Sequence, residues 1–167
     1  AFITEVEFEG KVPPNHNNMR TEFAWMYALN ADHFYINRTS QVKNYDHVFI
    51  IFPKGILNVN AVGVKIDDCH NPTSLLLSSN LVSSLKSSNK KIHYVQEGPS
   101  WLFNDYEIVD QFNFYNLLSE VDSIYAHNKH DVKFYQGLYP QKEVKPIPTL
   151  LIEDLIKDIV PFPEEKV

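Results

Sequence analysis

The hydrophobic positions of this chain follow two alternating patterns. Short apolar runs, such as the one at 48–52, are separated by stretches in which apolar residues recur every three or four positions. The first pattern indicates β-strands and the second indicates amphipathic helices. Strands that alternate with helices are typical of a parallel sheet with right-handed crossovers. The chain is therefore predicted to adopt an α/β fold.

Six strands are predicted along the chain. They cover residues 2–8, 33–37, 46–52, 91–97, 121–126 and 144–147. Helices are predicted up to about residue 29 after a cap at Asn17 or Asn18, and over 74–88, 105–118, 129–138 and 150–159. Residues 56–68 have no readable pattern. The spacing predicts a Rossmann-like three-layer sandwich with a mostly parallel six-stranded sheet, in the order 3-2-1-4-5-6.

The predicted strand order determines where a ligand would bind. Strands one and four are neighbours in that order, so the loop 10–18 and the loop 96–101 face one another across one crevice. We interpret residues 1–160 as a single domain, and 161–167 as a tail or the start of an interdomain linker.

Composition and charge narrow the possible functions. The net charge of −6, from 21 acidic and 15 basic residues, argues against nucleic-acid binding by this domain alone. The longest apolar runs are far shorter than the roughly 20 residues of a membrane span, and no signal peptide is recognisable at the amino terminus. The only cysteine, Cys69, excludes an internal disulfide. These features favour a cytoplasmic protein.

Glu97 is the candidate catalytic residue. It ends the fourth predicted strand, where Gly98 and Pro99 stop the strand abruptly. Trp101 is near enough to exclude water, and partial desolvation raises a carboxyl pKa toward the range of a general base. Gln96 lies beside it. A solvated loop glutamate would have the same sequence pattern, so both interpretations stay open.

The first loop carries candidate ligand-binding groups. They are Gly10, Asn15, His16, Asn17 and Arg20. Free amides at a helix amino terminus attract phosphate or carboxylate, and an arginine can add a bidentate clamp. An ordinary helix cap beside a salt bridge is the alternative. The chain has neither a dinucleotide-binding glycine motif nor a P-loop.

His127 follows the fifth strand and is predicted to line the same crevice. His127 and His130 have no well-placed pair of carboxylates to complete a metal site. The contiguous run 67–70 (Asp-Asp-Cys-His) is interpreted as a polar turn. No metal and no cofactor are predicted.

The region 90–147 resembles the second half of the amino-terminal domain of GT-B glycosyltransferases. The matching segments are KIHYVQE at 91–97, LSEVDSIYAH at 118–127 and VKPIP at 144–148, and DHVFII at 46–51 is similar to the family's third strand. The phage DNA glucosyltransferases have a similar succession of such segments, with an acidic residue at the position of Glu97. The resemblance implies an acceptor-side domain of an enzyme that transfers sugar from a nucleotide-sugar donor to a hydroxyl acceptor.

The resemblance also assigns roles to residues. Glu97 would be the base or orient the acceptor, the loop 10–20 would approach the donor phosphates, and Trp101 would stack on a sugar face. The family holds its donor mainly in a second domain, often with two glutamates separated by seven residues, and this chain has no such pair. The chain is therefore either part of a longer enzyme with a carboxyl-terminal domain, or a single-domain relative that cannot hold a donor in the usual way.

Two other classes of function remain. One is a flavodoxin-like or receiver-like binding module without catalysis, although Pro53-Lys54-Gly55 leaves the third strand without the aspartate that a receiver needs. The other is a protein-interaction domain. Its surface would be aromatic, formed by Trp25, Trp101, Phe103 and Tyr106.

Overall fold

The computed structural model of the chain describes residues 1–4, 9–12, 21–36, 41–51, 73–96, 100 and 108–150. Its strands are β1 (Phe2–Thr4), β2 (Gly10–Lys11), β3 (Asp32–Tyr35), β4 (His47–Ile50), β5 (Lys91–Val95), β6 (Ser123–Ala126) and β7 (Glu143–Pro146). Its helices are α1 (Thr21–Ala28), α2 (Thr73–Ser87), α3 (Ile108–Ser119) and α4 (Lys129–Leu138), with a short 3-10 helix at Val42–Asn44.

The strands form one sheet in the order β2-β3-β1-β4-β5-β6-β7. Every neighbouring pair is parallel except β2 with β3. This confirms the predicted Rossmann-like α/β fold with a mostly parallel sheet. Parallel neighbours require crossovers, and α2, α3 and α4 supply those on one side of β4.

The predicted strand order is wrong in one respect. In chain order the six parallel strands run 2-1-3-4-5-6, so β4 lies between β1 and β5. Val48 and Ile50 of β4 are fully buried, which suits a central position. The edge expected for the third strand is instead held by β2, a two-residue antiparallel strand. With β2 the sheet has seven strands. Lys11 places a charge on this edge strand, which disfavours pairing with a strand of another chain.

The predicted elements agree with the structure to different degrees. The helix 129–138 has the predicted bounds, and α2 and α3 differ from prediction by one to three residues. Most predicted strands are longer than the observed ones. Residues 147–150 have no regular structure, and the rest of the predicted helix 150–159, like the segment 56–68, lies outside the described residues.

The core has two parts because successive strand residues point to opposite faces of the sheet. One cluster packs α2, α3 and α4 on one face, where Ile50, Ile92 and Ile124 are completely buried. The other packs α1 around Phe2, which stacks on Phe49 with ring centroids 5.0 Å apart. Burial on both faces accounts for the apolar run 48–51, whereas β5 begins with a polar alternation in which Lys91 is exposed and His93 is half-buried.

Candidate functional site at the carboxyl edge of the sheet

The candidate site lies where β5 and β6 end. Gln96 directly follows β5, and His127 and Asn128 follow β6. Because β5 and β6 are parallel neighbours, these residues share one edge of the sheet. In open α/β sheets the ligand crevice lies outside this edge.

Gln96 connects the two strand ends. Its side chain is 2 % exposed, and both ends of its amide are used. Nε2 donates to Oδ2 of Asp131 over 3.0 Å, while Oε1 accepts from the backbone N–H of His127 over 3.2 Å. Gln96 was predicted to bind substrate, and the structure shows that its amide joins the end of β5 to the turn between β6 and α4.

Asp131 is the centre of a buried hydrogen-bond network. Besides Gln96, its carboxylate accepts from Nδ2 of Asn128 over 2.9 Å, from the backbone N–H of Ser100 over 3.3 Å and from the Ser100 hydroxyl. Asp131 is 5 % exposed and lies in the first turn of α4, where a carboxylate complements the helix dipole. Several donors satisfy a buried charge that would otherwise be costly.

This network bounds the segment that contains Glu97. Gln96 and Ser100, the described residues on either side of 97–99, both donate to the same Asp131 carboxylate. Asn128 completes the anchor as the cap of α4, because its Oδ1 accepts from the N–H groups of His130 and Asp131 over 2.8 and 3.1 Å. Glu97 itself lies outside the described residues.

His127 lies against an aromatic wall at this edge. Its ring centroid is 5.8 Å from that of Trp25 on α1, with the planes 37° apart. Trp25 is almost fully buried, and its Nε1 donates to the carbonyl of Pro148 over 2.6 Å. The His127 side chain is half-buried, and within the described part of the chain its ring nitrogens make no hydrogen bond. They are available to a ligand.

The structure brings together two of the predicted site residues and separates a third. Gln96 and His127 are in contact. Gly10 is four strand positions away from β5, roughly 20 Å at the usual strand spacing. It pairs with His33 near the start of β3, and its φ of +97° suits glycine at the entry to an edge strand. The other predicted site residues, Glu97, Asn15, His16, Asn17, Arg20 and Trp101, lie outside the described residues.

The strand order also changes the expected crevice. Since β4 separates β1 from β5, the loops after β1 and β5 are not neighbours as predicted. The sheet order now reverses between β1 and β4, with α1 and α2 on opposite faces. Ligands in doubly wound sheets bind at such a switch point. The candidate site at the end of β5 lies one strand away from it, because β5 is the next neighbour of β4.

Sequence reasoning assigned no role to two residues of this site. Asp131 and Asn128 form a cap pair three residues apart, and the Asn-x-x-Asp spacing is a signal that could have found them.

A second polar cluster lies at the opposite, amino edge of the sheet. Nδ1 of His47 and Nε2 of His93 are 2.9 Å apart, and Nδ1 of His93 is 2.7 Å from the Ser123 hydroxyl. The imidazole planes differ by 4°, and their centroids are 5.2 Å apart, so the rings lie edge to edge in one plane. If one of the two facing nitrogens carries a proton, the pair forms an N–H···N hydrogen bond. If both carried a proton, the two N–H groups would repel each other.

This arrangement predicts a loss of stability at mildly acidic pH. Burial, then the neighbouring His47, lower the pKa of His93 below its ordinary 6.5, although Asp122 and Glu143 oppose this and Lys145 reinforces it. The unfolded chain therefore binds a proton first as the pH falls. We expect the free energy of unfolding to decrease as the pH falls below about 6.5.

Chemical denaturation between pH 5 and 8 measures this effect. The variant His93→Gln should flatten the pH dependence, while His130→Gln, at an exposed position of α4, should leave it unchanged. An unaltered slope in His93→Gln would remove the histidine pair as its source.

No helix in the described ranges has the length and apolar character needed to cross a membrane. The same ranges contain no group of three or more histidine, cysteine, aspartate or glutamate side chains that could hold a metal ion. Comparison with known proteins found no matching family model, curated protein or solved structure.

Proposed function

We propose that this chain is the acceptor-side domain of a glycosyltransferase, which transfers a sugar from a nucleotide-sugar donor to a hydroxyl acceptor. The proposal rests on the resemblance of residues 90–147 to GT-B enzymes and on the chemistry of the carboxyl edge. It requires a second, donor-binding domain, because that family closes its active site between two domains.

The observation that carries the proposal is the pairing of His127 with Trp25 beside the anchored ends of 97–99. Trp25 is 2 % exposed and its N–H donates to Pro148, so it supports the His127 ring from below, and the ring nitrogens of His127 are the uncharged groups that suit a neutral hydroxyl ligand. The buried carboxylate of Asp131 accepts hydrogen bonds from Gln96, Ser100 and Asn128. We therefore assign it a structural role at this edge of the sheet and assign ligand binding to other residues.

Each residue has a defined role in this proposal. The free nitrogen atoms of His127 hydrogen-bond an acceptor hydroxyl, and Gln96 and Asp131 hold the backbone on either side of Glu97. Glu97 removes the proton of the attacking hydroxyl if the configuration is inverted, and orients the acceptor if it is retained. Trp101 stacks on the sugar, and Asn15, His16, Asn17 and Arg20 approach the donor phosphates.

The alternative is a binding module without catalysis. The order 2-1-3-4-5-6 of the parallel strands favours it, because flavodoxin-like proteins share the order 2-1-3-4-5 and bind a flavin nucleotide at the switch point. A flavin phosphate and a saccharide are distinguished by direct binding experiments.

Titration of the 15N-labelled chain with oligosaccharides, nucleotide sugars and flavin mononucleotide tests the proposal. We expect a saccharide to shift the indole N–H signal of Trp25 and the amide of His127. The variant His127→Ala should weaken this binding about tenfold, because it removes one hydrogen-bond partner. His130→Ala is the matched control, since His130 lies three residues after His127, in the first turn of α4, and is exposed.

The outcomes separate the two functions. Saccharide binding that His127→Ala weakens and His130→Ala does not supports the glycosyltransferase. Binding of flavin mononucleotide between the carboxyl ends of β1 and β4, with no saccharide binding, would favour the non-catalytic binding module over the glycosyltransferase.

A further inference from the structure

Residues 147–150, which we call the exit segment, follow β7 and cross the carboxyl edge of the sheet. The backbone N–H of Ile147 donates to the carbonyl of Ala126, the last residue of β6, over 2.8 Å. The carbonyl of Pro148 accepts from Nε1 of Trp25 over 2.6 Å. The exit segment is therefore bonded to β6 on one side and to α1 on the other.

The bond to Pro148 determines how the indole of Trp25 is oriented. Trp25 is 2 % exposed, and an indole N–H that is buried needs an acceptor. Turning the ring over would carry Nε1 away from the Pro148 carbonyl and bury the N–H without it. The same indole lies against the His127 ring, with the centroids 5.8 Å apart and the planes at 37°. The exit segment, the indole and the imidazole thus form one series of contacts.

We propose that Trp25 is a positioning residue, which fixes the orientation of the His127 ring and makes that orientation depend on the exit segment. The backbone of His127 is held separately, because its N–H donates to Oε1 of Gln96. Within the described part of the chain the ring nitrogens make no hydrogen bond, so the contact with the indole is what restrains the ring. The nature of the ligand, a saccharide, rests on the proposed function, and the positioning does not.

A positioned ring favours binding because less motion is lost when the ligand arrives. The nitrogens of a fixed imidazole point in one direction, whereas a rotating imidazole must be ordered during binding. We expect loss of the positioning to weaken saccharide binding severalfold, and by no more than the roughly tenfold loss expected when His127 itself is removed.

Three-bond couplings about χ1 of His127, measured by NMR on the labelled chain, test the positioning directly. Trp25→Phe removes the indole N–H and leaves a smaller ring that is no longer tied to Pro148. The couplings should change from those of one rotamer to averaged values. Met26→Leu is the control, because Met26 is equally buried on α1, and it should keep the single rotamer. Lower stability of Trp25→Phe with unchanged couplings would reduce Trp25 to a core residue and overturn the proposal.

A second variant tests the exit segment without altering the indole. Leu150 is half-buried and packs against the core cluster that contains Trp25. Leu150→Ala should speed amide hydrogen exchange at Ile147 and move the His127 couplings toward averaged values. Faster exchange at Ile147 with unchanged couplings would contradict the dependence of His127 on the exit segment.

Saccharide affinities in a double-mutant cycle show whether Trp25 acts through His127. Trp25→Phe should weaken binding in the unaltered chain and have no further effect when His127→Ala is already present. Equal weakening in both backgrounds would overturn the proposal. If the unaltered chain binds no saccharide, the proposed function fails, and the His127 couplings still decide whether Trp25 positions the ring.

Discussion

If the protein is the proposed glycosyltransferase with Glu97 as its general base, replacing Glu97 by glutamine is expected to lower the turnover by about 10²–10⁴, the usual contribution of such a base. Glutamine keeps the size and hydrogen bonding of the side chain while removing its basicity. Because the flanking Gln96 and Ser100 remain bound to Asp131, the backbone on both sides of the substitution keeps its anchors. The loss should therefore appear in kcat more than in KM.

Initial rates with saturating acceptor measure this effect. Glu143→Gln is a suitable control, because Glu143 begins β7 at the opposite edge of the sheet and is exposed. It should retain normal turnover. Normal turnover in Glu97→Gln as well would mean that Glu97 takes no part in proton transfer.

Replacing Asp131 by asparagine is expected to lower the free energy of unfolding by about 3 kcal/mol, since hydrogen bonds to a charged group contribute about 1.5–3 kcal/mol each and are lost in part. The asparagine amide also turns one acceptor into a donor. In place of Oδ2 that donor faces Nε2 of Gln96 and Nδ2 of Asn128, and in place of Oδ1 it faces the backbone N–H of Ser100. In either orientation at least one N–H donor of the network loses its acceptor.

Urea denaturation measures the loss. Asp46→Asn is the matched control, because Asp46 is exposed and should change stability by less than about 0.5 kcal/mol. A similarly small change in Asp131→Asn would show that the network contributes little to the fold and that Gln96 is held by other contacts.

The architecture was predictable because its signals are local. Period-four stripes gave α2, α3 and α4 within a few residues, and apolar runs gave the buried strands β4 and β5. Strand order is not local. Whether β4 pairs with β1 or lies beyond β3 depends on a connection whose sequence has no distinguishing pattern, and the two-residue strand β2 is too short to leave a periodic signal.

The candidate site was predictable only where it follows strand ends. Gln96 and His127 could be placed together because neighbouring parallel strands end at one edge. Gly10 was misplaced because a glycine before a polar loop has the same pattern at a phosphate loop and at an edge strand. The contact of Trp25 with His127 joins residues about one hundred positions apart, which no sequence pattern reveals.

Transfer of radiolabelled sugar from nucleotide-sugar donors to hydroxyl acceptors tests the central claim most directly. On the two-domain proposal, this chain joined to a donor-binding domain should transfer sugar, and the 167-residue chain alone should not, because stabilising the departing diphosphate needs donors from both sides of a closed cleft. Measurable transfer by the isolated chain would contradict the two-domain account. Absence of transfer by the complete protein with every donor would contradict the glycosyltransferase itself.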